Sequence, residues 1–284
     1  MLARTVAALT LVAAAWAAPT NTQAQSPTPD ANQPRERTPS HCLAFADAGP
    51  PIHRASQSLA RDEVMISYVG HSMYMIDTEG GLRTVTDYNG YIGRTQTPPD
   101  VVTMNIGHSS HYTDFPDPSI PHVLRGWNPD GGVADHELDL GEMLIRNVTT
   151  DIRSQWTGLR PDGNSIFIFE VGGMCIGHLG HLHHIPSDEQ FARIGRLDVV
   201  MAAVDGGMTI DLGSMIRIMK RLKARVVLPM HWWGDGSLSV FLAGMEDEFD
   251  VVRLDTSSLR MSLDRLPSRP TIFVTQPQYV EEFE

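Results

Sequence analysis

Four apolar runs in this chain read as strands, and each delivers a histidine or an aspartate at or just past its end. The run at 101–106 leads to His108 and His111, and that at 174–179 to His178, His181, His183 and His184. The run at 198–204 leads to Asp205, and that at 225–230 to His231. In open α/β sheets, ligands bind beyond the carboxyl ends of strands, where loops and side chains from several strands converge. A chain that carries a metal-ligating side chain at four such ends is constrained to a fold that gathers them. Twelve histidines will give H-x-x-H spacings by chance, and three occur here. Their convergence on strand ends, rather than the spacing alone, marks a metal site. Imidazole suits zinc, copper, iron or nickel better than magnesium or calcium, and zinc is expected where no redox role is visible.

The elements around these ends can be placed. Residues 63–77 alternate loosely and meet 82–87 across Glu79-Gly80-Gly81, a β-hairpin pattern; 165–171 and 174–179 form a second pair across Gly172-Gly173. Ser187 with Gln190 three residues on is a capping box, predicting a helix to about Ile194. Asp211 caps a second helix, whose Leu212, Met215, Ile216, Met219 and Leu222 share one stripe. Strand and helix alternate in the C-terminal half, which predicts a largely parallel sheet, while the N-terminal half is richer in hairpins. A mixed sheet or two packed sheets with helices outside is expected. Between Tyr112 and Gly141 lie four prolines, four glycines and no period, which reads as a long loop of the kind that forms a lid.

The start of the chain reads differently. MLARTVAALTLVAAAWA has an early Arg4, an apolar stretch and a small-x-small exit, so residues 1–24 are expected to be a secretory signal. No cysteine follows that stretch to carry a lipid anchor, and no later run is long enough to span a bilayer. A periplasmic or secreted protein is expected. Residues 25–45, rich in Pro, Gln, Thr and Asn near their start, read as a disordered leader. Residues 46–284, about 240 in all, suit one domain. Cys42 and Cys175 fit equally well a disulfide and a buried free thiol at 175. A net charge of −12 repels polyanions, so the expected partner is a small-molecule substrate and no nucleic acid, with no oligomeric state implied.

Gly70-His71-Ser72, Asp87, "HLGHLHHIPSDEQ" (178–190), "DVVMAAVDGG" (198–207) and "VVLPMHWW" (226–233) together resemble the metallo-β-lactamase superfamily. The branch they resemble is that of L-ascorbate-6-phosphate lactonase and its relatives, over residues 64 to 233. The resemblance implies a four-layer αββα sandwich, with one or two metals at the sheet edges hydrolysing esters, lactones, amides or phosphoesters. The family's first motif, H-x-H-x-D-H, aligns with Ile106-Gly107-His108-Ser109-Ser110-His111, so one histidine and the aspartate are missing. A later histidine would fall near 149–154, where only Asp151 coordinates, and the bridging aspartate is His181 after Gly180.

Loss of two aspartates removes the anionic bridge that holds two cations close together, and a nitrogen-only set favours one metal over two. The expected centre holds one divalent transition metal, with zinc first, on His108, His111, His181 and His231, and Asp151 as a further ligand. Asp151 or Asp205 would carry a proton. His71, His178 and His184 would orient ligands from behind, and Trp232 and Trp233 would wall the pocket. The reading is an exported metal-dependent hydrolase that uses activated water. Its rival is a metal-binding pseudoenzyme or periplasmic binding protein without turnover; a nuclease is disfavoured by the charge.

Overall fold

The computed structural model describes residues 37–44, 62–154 and 158–282. The expected signal segment and nearly all of the expected leader lie outside these residues. In chain order, the first sheet region supplies strands β1 (Val64–Gly70), β2 (Met73–Thr78), β3 (Arg83–Val85), β4 (Gly93–Arg94), β5 (Val101–Met104) and β6 (His122–Arg125). Then follow β7 (Glu137–Asp139), β8 (Met143–Ser154), β9 (Gly158–Val171), β10 (Met174–His178), β11 (Val199–Ala203) and β12 (Val226–Met230). The chain closes with β13 (Asp250–Arg253), β14 (Ser258–Met261), β15 (Thr271–Val274) and β16 (Val280–Glu281). Helices are α1 (His41–Ala44), α2 (Asp188–Ile194), α3 (Leu212–Leu222) and α4 (Asp235–Met245).

Two sheets face each other. One has the order β14-β1-β2-β3-β5-β6, the other β13-β15-β12-β11-β10-β9-β8-β7. Alternation along each strand makes the sandwich, because successive side chains point to opposite faces. On the first sheet, Val64, Ile66, Tyr68, Tyr74 and Ile76 point inward; on the second, Phe167, Phe169, Val199, Met201, Val226 and Leu228 meet them. The opposite face of the second sheet, with Ile166, Ile168, Val200 and Val227, packs under Phe191 and Ile194 of α2, Met215, Ile218 and Met219 of α3 and Leu238 and Phe241 of α4. Tyr74 ties the sheets together, its hydroxyl donating to Pro229 O at 3.0 Å while its ring stacks on Tyr68.

The C-terminal half is parallel across β10, β11, β12, β15 and β13, as strand–helix alternation requires. The helices begin where their caps stand. Ser187 and Gln190 make the reciprocal capping box of α2, and the Asp211 carboxylate accepts from Ser214 N at the start of α3.

Four expectations are refined or corrected. The stretch 63–77 is two strands rather than one arm, because Gly70-His71-Ser72 turns the chain back and pairs Tyr68 with Tyr74. The stretch 112–141 is no lid: β6 extends the first sheet beside β5, β7 edges the second beside β8, and Ile120 and Trp127 are buried in between. Among the described residues every helix of eleven residues, together with α2, covers the second sheet. The outer face of the first sheet is covered by loops carrying Tyr88, Ile92, Ile120 and Trp127. Last, the folded body begins at Thr38, earlier than expected. Cys42 is bonded to Cys175 across 133 residues, and Glu170 accepts from Ser40 Oγ and His41 N, so residues 38–43 are anchored and not part of a free leader. A closure of that length stabilises by about 4–5 kcal/mol in the chain-entropy view.

Candidate metal centre

One end of the sandwich collects the turn after β1 and the chain just past β3, β5, β10, β11 and β12. His71 sits in the first, Asp87 after β3, and His108 and His111 after β5. His181 follows β10, Asp205 follows β11 and His231 follows β12 directly. His71 and His231 both adopt left-handed backbone, φ 54° and 57°, and His231 N donates to His71 O at 2.7 Å. Two non-glycine residues held there side by side store roughly 1 kcal/mol or more of strain each, which such sites commonly carry. Tyr68 Oη also donates to His71 O at 2.7 Å, fixing the turn from below.

His71, His108, His111 and His231 each bring a ring nitrogen within 4.8 Å of the other three. Within this group, His231 Nε2 lies 3.3 Å from His108 Nε2 and 3.2 Å from His111 Nε2. The far nitrogens decide what those near ones carry. His111 Nδ1 is 2.5 Å from Asp87 Oδ2, and His231 Nδ1 is 3.0 Å from Asp205 Oδ1. Each carboxylate accepts a proton-bearing Nδ1, so in the neutral rings Nε2 presents a lone pair. Lone pairs facing one another at this distance repel unless a cation lies between them. Nitrogens bound to one ion at about 2.0–2.1 Å in a tetrahedron stand about 3.3–3.4 Å apart, close to the spacing found here. The Nε2 of His71, buried and without a hydrogen-bond partner, completes the group. The residues therefore fit a single imidazole-bound metal.

The carboxylates behind the rings are held ionised. Burial alone would raise the pKa of Asp205, but bonds from His231, Thr209 and the backbone N–H groups of Gly207 and Thr209 outweigh it and hold the group far below the usual range. Asp87 is fully buried, yet His178, His111 and the amide of Asn105 keep it well below the usual range too. Two of the imidazoles are held neutral. Burial and mutual repulsion push His71 to about 3 and His108 to about 4, so the lone pairs are available to a metal at neutral pH.

His181 stands at the border. Its ring centroid is 5.0 Å from that of His108, 4.7 Å from that of His111 and 5.3 Å from that of His231. Only glycine fits at Gly107, where a Cβ would come 2.6 Å from this ring. Gly180, at φ +60°, lets His181 N reach Asn164 Oδ1 at 2.6 Å. Beside it opens a cleft of about 640 Å³, lined among others by His108, His181, His183, Arg153, Arg160 and Met208. A larger hollow of about 900 Å³ lies elsewhere, around Glu142 and Glu170. The smaller cleft is the one that reaches the histidines, and chemistry decides between the two.

Several expected roles change. His71 joins the metal group itself, because the tight turn aims it inward; it was expected only behind the ligands. Asp151 does not join the metal group: it occupies the bulge between Thr150 and Ile152, and its Oδ1 accepts from Asp162 N at 3.1 Å. Asp205 stands behind His231, with its oxygens committed to His231, Thr209 and three backbone N–H groups. His184 Nε2 accepts from Asp151 N at 3.0 Å, supporting the bulge rather than a ligand. His178 lies behind the centre, its Nε2 2.8 Å from Ser72 O and its Nδ1 accepting from Gly180 N at 3.1 Å. Trp232 packs into the core between sheet and helices, whereas Trp233, 58% exposed, stands 4.9 Å from His231 ring to ring and walls the site.

Sequence reasoning gave no role to Asp87, Asn105 or His183. Asn105 donates to Asp87 Oδ1 at 2.9 Å and accepts from Ser165 N at 2.7 Å, bridging the sheets beneath His111. The available signal was weak: a polar residue ending an apolar run.

Comparison with known proteins agrees with the fold. A family model described as a β-lactamase superfamily domain matches residues 65–231. A UPF0173 metal-dependent hydrolase of Anaeromyxobacter dehalogenans is 23% identical over 242 residues, covering 72% of this chain and 87% of that protein. A UPF0173 protein of Pyrococcus abyssi is 22% identical over 193 residues, covering 62% and 88%. Among solved structures, a metallo-β-lactamase superfamily protein of Thermotoga maritima superposes with a TM-score of 0.52 at 23% identity, covering 76% of this chain and all of that one. The matched span runs from β1 to His231 and so contains every histidine of the metal group, and the chain belongs to the metallo-β-lactamase superfamily.

Proposed function

We propose that this protein is an exported, zinc-dependent hydrolase of a small ester, lactone, amide or phosphoester. The observation that carries the reading is the set of imidazole nitrogens, 3.2 and 3.3 Å apart about His231, with two of the rings backed by ionised carboxylates. Zinc is the ion that such a nitrogen-only set favours where nothing redox-active stands by. When bound, it polarises a carbonyl or phosphoryl oxygen and lowers the pKa of water towards about 7. The chain's own groups do the rest. Asp87 and Asp205 fix the tautomers and orientations of His111 and His231, as carboxylates behind metal-bound histidines do. Ile106, Ile152 and Met208 give the cleft an apolar wall, and Arg160, with no ion-pair partner among the described residues, lines it with a cation that suits an anionic substrate. The Cys42–Cys175 disulfide supports a periplasmic or secreted location, where such bonds persist.

The test is hydrolysis by the zinc-loaded protein of lactones, aryl esters, phosphodiesters and β-lactams, before and after chelation and in His231→Ala. Turnover of one class that is lost on chelation and restored by zinc is expected. One observation favours the rival reading of a pseudoenzyme or binding protein: His71 offers a fourth nitrogen, and four histidines close a tetrahedral shell. A tightly bound ion with no turnover on any class, unchanged in His231→Ala, overturns the hydrolase.

A further inference from the structure

A chain of hydrogen bonds outside the metal group dictates how His181 is protonated. Arg153 N and Arg153 Nε both donate to His183 Nδ1, each at 2.9 Å. A backbone N–H and a guanidinium N–H can only donate, so His183 Nδ1 must accept. With that nitrogen accepting, the neutral ring carries its proton on Nε2. His183 Nε2 lies 2.6 Å from His181 Nδ1, and therefore donates to it. His181 Nδ1 is then an acceptor in turn, which leaves the neutral His181 ring its proton on Nε2. That atom is buried, has no hydrogen-bond partner, and belongs to a ring that lines the cleft and stands edge-on to His108 and His111.

We infer that His181 is a hydrogen-bond donor facing the reacting group through Nε2–H, and not a metal ligand, its tautomer imposed by Arg153 through His183. The contrast with the metal-binding rings is direct: His111 and His231 have acceptors behind Nδ1 and so aim lone pairs at the centre, whereas His181 has a donor behind Nδ1 and so aims a proton. A buried N–H without an acceptor is unfavourable unless something arrives to take it. In the hydrolysis proposed above, on which this inference rests, the arriving group is the carbonyl or phosphoryl oxygen, which gains negative charge as water adds to the carbon or phosphorus. No proton leaves His181 in this role. A preorganised donor of this kind typically contributes 10²–10³-fold in kcat.

The test labels histidine with ¹⁵N in the full-length protein and records long-range ¹H–¹⁵N spectra metal-free and loaded with ¹¹³Cd. His181 is expected to show the Nε2–H tautomer in both and no coupling to cadmium, while His71, His108, His111 and His231, which form the metal group, couple to it. Coupling of His181 to cadmium, or an Nδ1–H tautomer, overturns the inference. His183→Ala should scramble the His181 tautomer while one ion per chain is retained, and His183→Gln, whose amide can donate to Nδ1, should restore it; an unchanged tautomer in His183→Ala refutes the relay. If no cadmium binds, the metal reading fails, but the tautomer read from the metal-free chain still decides this proposal.

Discussion

At the scale of residues, the centre is decided by what stands behind each imidazole. His111 and His231 differ from His181 by a carboxylate in place of a hydrogen-bond donor at Nδ1, and that single difference sorts lone pair from proton. Removing the charge behind a ligand should therefore weaken the metal without unfolding the chain. Asp87→Asn and Asp205→Asn are expected to lower zinc affinity about 10–100-fold, measured by competition with a chromogenic chelator, with the circular dichroism spectrum retained. Asp151→Asn should leave zinc affinity and stoichiometry as they are, because its carboxylate serves the β8–β9 bulge; a tenfold loss there would restore Asp151 to the ligand set. Arg160→Ala should raise KM for an anionic aryl ester roughly tenfold while leaving a neutral ester of the same leaving group unaffected, an electrostatic effect that added salt should also reduce. Histidines 108, 111 and 231 were legible in the sequence because they close apolar strand runs. His71 was not legible as a ligand, since nothing within its own hairpin says that the turn will lie 4.1 Å, ring to ring, from a residue 160 positions away.

Among the elements, local rules and packing agree most closely in the C-terminal half. The capping box at Ser187 and the Asp211 cap stand where the sequence puts them, because a cap is satisfied by its own next three residues. Ser187→Ala should cost about 1 kcal/mol in urea denaturation, the usual price of a lost N-cap, with zinc content unchanged. Pairing across distance behaves otherwise. The segment 112–141 has no period because its strands are only four and three residues long and lie at sheet edges, where one ladder and a partly buried face suffice. The α1 turn is held by Cys175 and Glu170 rather than by its own propensity. Burial favours the neutral form of Glu170, but bonds from His41, Ser40 and Arg146 hold it near 2, so this anchor persists down to low pH. Cys42→Ser with Cys175→Ser is expected to lose about 4 kcal/mol, read as a lower denaturation midpoint, without change in metal content, since the bond lies away from the centre.

For the whole molecule, metal and pH act on the same histidines. The ordinary imidazole pKa is about 6.5. In the folded, metal-free chain His71 is near 3, His108 and His183 near 4 and His181 near 2. As pH falls below about 6.5 the unfolded chain takes up protons that the folded one refuses, so stability present above about pH 7 is lost progressively towards pH 4. Urea midpoints of the metal-free protein should be flat from pH 8 to 7 and fall at pH 5; a rise on acidification would contradict the neutral cluster. Zinc at about a hundred times its Kd should add about 2.7 kcal/mol, a Tm increase of roughly 5–10 °C that chelation reverses. What the sequence determined by itself was the strands that lead to the site, the two capped helices α2 and α3, and the placing of histidines at strand ends, because periodicity and capping are properties of neighbours along the chain. Which nitrogen accepts and which donates, and so which histidine meets a metal and which meets a substrate, was decided only by tertiary structure, because Asp87, Asp205 and Arg153 reach their imidazoles from 24 to 30 residues away in the chain.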